Sequence, residues 1–152
     1  SLDDGSMLND AAVDFFLRLM HRCLAPRDDV YIFSTHFFTR LSGLGAADGE
    51  SGWRNVSRWT RRVDLFKHRL LVVPINGESH WWVAVVQLQG KTAASPSSMW
   101  YLDSFPGSPD RYQEALRYLC GYLRKEWAER APASDAPSSA AGDFGMLGVP
   151  EP

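Results

Sequence analysis

The chain has 152 residues, 45% of them hydrophobic and 12% aromatic, which is enough for one domain with a real core. A formal net charge of −2 argues against non-specific nucleic-acid binding as a main role, and no apolar run approaches the roughly 20 residues of a membrane span. The two cysteines, Cys23 and Cys120, match no metal spacing, no basic-then-apolar signal segment opens the chain, and a reducing compartment, nucleus or cytoplasm, fits best.

Residues 9–24, "NDAAVDFFLRLMHRCL", predict a helix capped by Asn9 and ended by Pro26. Val13, Phe16, Leu17, Met20 and Leu24 keep helical spacing, and Phe15 and Leu19 widen the apolar surface, so this helix should be well buried. "VYIF", 30–33, is a short extended piece and "STHFFTRL", 34–41, a short helix. Four glycines make 42–52 a loop, and 53–66 reads as helix then turn. "RLLVVPI", 69–75, and "HWWVAVVQLQ", 80–89, are continuous apolar runs of strand length, with "NGES" between them as a hairpin turn. "GKTAASPSS", 90–98, reads as a flexible insertion, and "MWYLDS", 99–104, as a third strand. Continuous rather than alternating runs predict strands buried on both faces by helices. Residues 110–129 form a last helix, with Tyr112, Leu116, Leu119, Cys120, Leu123 and Trp127 as its stripe. Residues 131–152 are rich in Ala, Pro, Ser and Gly and predict a linker or loose tail, so that 1–130 is the folded part.

His80, taken alone, is either a satisfied core histidine or a base. Asp103 ends a strand, where a buried unpaired carboxylate is costly. Meeting His80 edge to edge, it would fix the imidazole tautomer, giving two-thirds of a nucleophilic triad. A turn residue before "SFPG" is the plainer reading of it. Neither cysteine suits the third place. Cys120 sits on an apolar stripe, and Cys23 lies at a helix C-terminus, the wrong end for lowering a thiol pKa. Gly90-Lys91-Thr92 lacks the glycine five residues earlier that a phosphate-binding loop needs, since Val85 stands there. The stretch 54–69 carries Arg54, Arg58, Arg61, Arg62, Lys67 and Arg69 against Asp64. It is either a solvated face or, with Trp53 and Trp59 interleaved, a surface for an acidic partner.

"LDDGSMLNDAAVDFFLRLM", "FSTHFFTRL", "VSRWTRRVDLFKHRLLVVPIN", "SHWWVAVVQL" and "WYLDS" occur in this order. Together they resemble the catalytic domain of the SUMO/sentrin-specific cysteine proteases, the ubiquitin-like-protease family, from about Leu2 to Trp127. The resemblance implies an α+β, papain-like cysteine protease fold, with a central mixed sheet flanked by helices and its C-terminal part missing here. It implies a His-Asp-Cys triad with His80 as general base and Asp103 as its orienter. Trp81 would lie over the Gly-Gly tail of the modifier. Met7 stands where the family usually has tryptophan in "W-L-N-D", a softer wall. Asn9 and Asp10 of that motif, with Arg58 and Trp59 of "RWTRRVD", are the further substrate-binding candidates. The implied partners are SUMO or another ubiquitin-like protein and its conjugates, without nucleic acid, membrane, metal or cofactor.

The family cysteine follows a glutamine in a segment like "Q-x-N-x-x-D-C-G". Aligning "GDFGM" with it puts Phe144 at the cysteine. Ser138 then replaces the glutamine, and Gly148, Pro150 and Pro152 break the helix that must follow. The reading adopted takes 131–152 as linker, with the nucleophile, the oxyanion glutamine and the last helices outside the chain. The expected function is deconjugation or processing of SUMO by a cysteine isopeptidase, with this chain inactive by itself. A catalytically dead modifier-binding module and a protease for a NEDD8-like modifier are the alternatives.

Overall fold

A computed structural model describes residues 8–24, 29–77, 79–88, 96–105 and 109–130. The elements in chain order are helix α1 (Asp10–Leu24), strand β1 (Val30–Ile32), helices α2 (His36–Leu41) and α3 (Gly49–Val56), a 3-10 turn (Leu65–Lys67), strands β2 (Leu70–Gly77), β3 (His80–Leu88) and β4 (Pro96–Leu102), and helix α4 (Pro109–Arg130). The strands form one mixed sheet in the order β1-β2-β3-β4, with β1 parallel to β2 and the rest antiparallel. The hairpin falls where "NGES" places it. Gly77 pairs with His80, and Ser79 takes a left-handed backbone to close the turn.

Burial along β3 alternates. Trp82, Ala84, Val86 and Leu88 face the core, while Trp81, Val83, Val85 and Gln87 stay half-exposed. The continuous apolar run therefore does not mean two equally buried faces. One face packs against α2 and α4, with α3 stacked on both of them, around Phe33, Phe37, Leu71, Val73, Tyr122 and Leu123. The other is covered partly by α1. No described side chain of α1 is buried, and Phe15 is 62% exposed, so this helix is not the buried one its spacing suggests. It meets chiefly the short strand β1, which leaves Phe15, Phe16, Leu19 and Met20 exposed. Polar ties hold it instead: His21 Nε2 donates to the Val30 carbonyl at 3.0 Å, and the Thr35 N–H donates to Asp14 Oδ1 at 3.0 Å.

Two boundaries also differ. β4 begins at Pro96, so the insertion read over 90–98 ends in a strand that pairs with β3. The loop read over 42–52 contains the start of α3. Asp48 and Ser51 form a capping box there, with the Ser51 N–H donating to Asp48 Oδ1 at 2.9 Å. Gly49 and Gly52 are points of close approach rather than breaks. A Cβ on Gly49 would lie 1.7 Å from the Tyr118 carbonyl oxygen, and one on Gly52 2.0 Å from that of Leu41.

At its far end α4 carries Glu126, 1% exposed. Its carboxylate accepts from Trp53 Nε1 at 2.5 Å and Thr60 Oγ1 at 2.7 Å, and pairs with Arg130 at 3.1 Å. These bonds pin the turn after α3, which bears Arg58 and Trp59, onto α4. The expected tail, 131–152, lies outside the described residues. Among the described residues, no helix is long and apolar enough to cross a membrane.

Candidate active site

β4 ends at Leu102, paired with Val83. Continuing that register by one residue sets Asp103 across from Trp82, on the same face of the sheet as His80. The two side chains meet there. His80 Nε2 lies 2.5 Å from Asp103 Oδ1. Trp81, between them in sequence, points to the opposite face, where its Nε1 donates to the Leu8 carbonyl at 2.8 Å. The dyad thus stands on the α4 side of the sheet end and the indole on the α1 side.

Asp103 is only 5% exposed and accepts four hydrogen bonds. His80 Nε2 and the Phe105 N–H (2.9 Å) use Oδ1, and Arg111 Nη2 (2.7 Å) and the Tyr112 hydroxyl (2.9 Å) use Oδ2. Burial pushes the carboxyl up, but the hydrogen bonds from His80, Phe105 and Tyr112, with the charge of His80, outweigh it and hold the group below its ordinary value. An ionised carboxylate only accepts, so the ring proton sits on Nε2. The lone pair of the neutral ring is then on Nδ1, the nitrogen a base would use.

A cleft of about 480 Å³ adjoins the pair. Val13 and Leu17 of α1 form one wall, Pro74, Trp81, Trp82 and Val83 of the sheet another, and Leu102, Asp103 and Ser104 the third. Its lining is mostly apolar, and Asp103 is part of it while His80 is not. Among the described residues, no group of three His, Cys, Asp or Glu could hold a metal ion.

The other expected residues scatter. Asn9 caps α1, accepting from the Ala12 N–H at 2.9 Å, and Asp10 lies 3.8 Å from His36, so both serve the entrance of α1 rather than touching the pair. Arg58 and Trp59 are exposed on the turn after α3, with the Trp59 ring near Phe37, and none of the cleft lining comes from that segment. Met7 lies outside the described residues. Cys120 is buried on α4, where burial pushes its thiol up to about 11. Cys23 is exposed in the last turn of α1, near Val30. Val30 pairs with Leu70 and Leu70 with Gln87, seven residues along β3 from His80, or about 23 Å at ~3.3 Å per residue.

Arg111 and Tyr112 were not foreseen as partners of Asp103. The signal was a basic residue in the first turn of a helix, where the helix dipole disfavours it.

Residues 6–139 match the Ulp1 protease family, C-terminal catalytic domain. The chain belongs to this family. Among its relatives, ubiquitin-like-specific protease 2 of Schizosaccharomyces pombe is 38% identical over 90 residues, covering 56% of this chain and 14% of that protein. Human sentrin-specific protease 2 is 31% identical over 119 residues, covering 74% of this chain and 17% of that protein. Among solved structures, the SUMO protease Ulp1 with its catalytic cysteine oxidised to a sulfinic acid aligns with a TM-score of 0.63 at 27% identity, over 86% of this chain and 54% of that one. The chain thus spans about half of that solved Ulp1 domain and under a fifth of these two relatives. The α+β architecture expected from the resemblance is the one the Ulp1-family neighbours share.

Proposed function

We propose that this chain is the histidine–aspartate portion of a SUMO-deconjugating cysteine isopeptidase domain, which acts after the modifier's C-terminal Gly-Gly. The observation that carries the reading is the 2.5 Å contact between His80 Nε2 and Asp103 Oδ1, next to an apolar cleft that Asp103 and Trp81 help to line. The solved neighbour named as a SUMO protease supports SUMO as the modifier. In this scheme His80 Nδ1 takes the proton of a cysteine thiol, and the thiolate attacks the glycine carbonyl. The imidazolium, held by Asp103, then protonates the leaving amine, and water hydrolyses the acyl-thioester. Trp81 lies over the diglycine, where a flat indole leaves room for nothing larger. Arg58 and Trp59 form a second contact with the body of the modifier, and Met7, Asn9 and Asp10 are the further residues expected to contact it. The setting is the nucleus or cytoplasm.

Neither Cys23 nor Cys120 serves as the nucleophile, so the chain alone is expected to leave a SUMO fusion uncut. A second reading is a binding module that holds the modifier without cutting it. The test is titration of labelled SUMO into the chain, with and without the diglycine. Binding that weakens on tail removal and on Trp81→Ala supports recognition of the modifier. Affinity untouched by both changes would sink it. Cleavage abolished by Cys23→Ser or Cys120→Ser would overturn the claim that the chain lacks its nucleophile.

A further inference from the structure

A base works in its neutral form. While His80 is neutral it cannot balance the charge of Asp103, and a carboxylate 5% exposed with no counter-charge is costly. The balancing charge is at hand on α4. Arg111 Nη2 lies 2.7 Å from Oδ2, and a guanidinium is always protonated. The side chain of Arg111 is itself held, with its guanidinium carbon 5.6 Å from the centre of the Trp82 ring and 5.5 Å from that of Tyr112.

We propose that Arg111 is a positioning residue of the His80–Asp103 pair, clamping Oδ2 from α4 so that Oδ1 stays ionised and turned toward His80. This rests on the reading of the pair as base and orienter. Asp103 lies one residue past the end of β4, so no ladder bond fixes it. The terminal torsion of an aspartate is soft, and donors on both oxygens define its plane. The groups facing Asp103 come from three places: His80 on β3, Arg111 and Tyr112 on α4, and the Phe105 N–H after β4. Arg111 brings a permanent positive charge, and it sits on the oxygen that His80 does not use. The plainer role for Arg111 is to pack α4 against Trp82.

The two roles separate in solution. The measurement is a carboxyl-carbon NMR titration of Asp103, with the His80 tautomer read from ring-nitrogen couplings and assigned by loss of signal in His80→Gln. The parent chain should show His80 protonated at Nε2. In Arg111→Gln, the Asp103 midpoint should rise by about one pH unit or more, and the single tautomer should give way to a mixture. Arg111→Lys, which keeps the charge, should return most of both. A packing role would lower the melting temperature of Arg111→Gln without moving the midpoint, and an unmoved midpoint overturns the proposal. If Asp103→Asn leaves the His80 ring signals unchanged, the reading of the pair fails, and the clamp with it. Should Arg111→Gln not fold, the parent chain still decides. The Arg111 guanidinium nitrogens should titrate at the Asp103 midpoint, and signals indifferent to that midpoint overturn the clamp.

Discussion

A carboxylate with four donors and almost no water ties folding to protonation at one residue. Asp103 titrates below its ordinary value in the fold, so its stabilising share is complete above the unfolded value of about 3.9 and is lost as pH falls through the folded value. Asp103→Asn, which leaves Arg111 facing an uncharged amide, should cost about 3 kcal/mol near neutral pH. The gap to the parent chain should close as pH drops below about 4. Thermal melts of both proteins from about pH 3 to pH 7 give the answer, and a gap independent of pH would refute the ionised state. On the other face of the sheet, Trp81→Ala should cost roughly 2 kcal/mol of SUMO binding, about thirtyfold in Kd, while Lys125→Ala should change it little. Titration of labelled SUMO into each variant measures this. That His80 and Asp103 meet was legible because a strand-end aspartate is costly unless paired. Arg111 was not, because a basic residue in the first turn of a helix names no partner, and its stacking on Trp82 depends on a crossing that no local pattern encodes.

Elements were legible where hydrophobic spacing alone decides them. β2, β3, the hairpin between them and α4 fall within a few residues of where the sequence puts them. The start of α3 was missed because glycine was read as a break, whereas its glycines admit the backbones of α4 and α2. The distinction is testable. Asp48→Ala removes the cap of α3 and should cost about 1 kcal/mol. Gly49→Ala keeps the cap and improves helix propensity, yet it drives a methyl into the Tyr118 carbonyl, and it should cost about 3 kcal/mol. Chemical denaturation ranks the two, and the reverse order would show that α3 and α4 are less closely apposed than described. The run "HWWVAVVQLQ" misled about burial for a related reason: it gives the apolarity of both strand faces but not what covers each.

At the scale of the molecule, the uneven cover of the sheet stands out. Trp100 and Leu102 on β4, opposite Val85 and Val83, are 41% and 61% exposed, so an apolar face lies open beside the cleft. Open apolar surface of this kind drives association. The isolated chain should self-associate at tens of micromolar or so, and the pair Trp100→Lys with Leu102→Lys should shift it toward monomer in sedimentation velocity. Equal behaviour of the two proteins would mean that this face is not adhesive. The same unevenness sorts the molecule by how readily its parts open. α4 has nine buried residues, and α1 has no described side chain buried and is tied by a few polar bonds. Backbone amides of α1 should therefore exchange with deuterium through local opening, well before those of α4, which wait for global unfolding. Since α1 carries Val13 and Leu17, the wall that exchanges first is a wall of the cleft: its width is a thermally fluctuating quantity, set by one loosely held helix against a rigid sheet end.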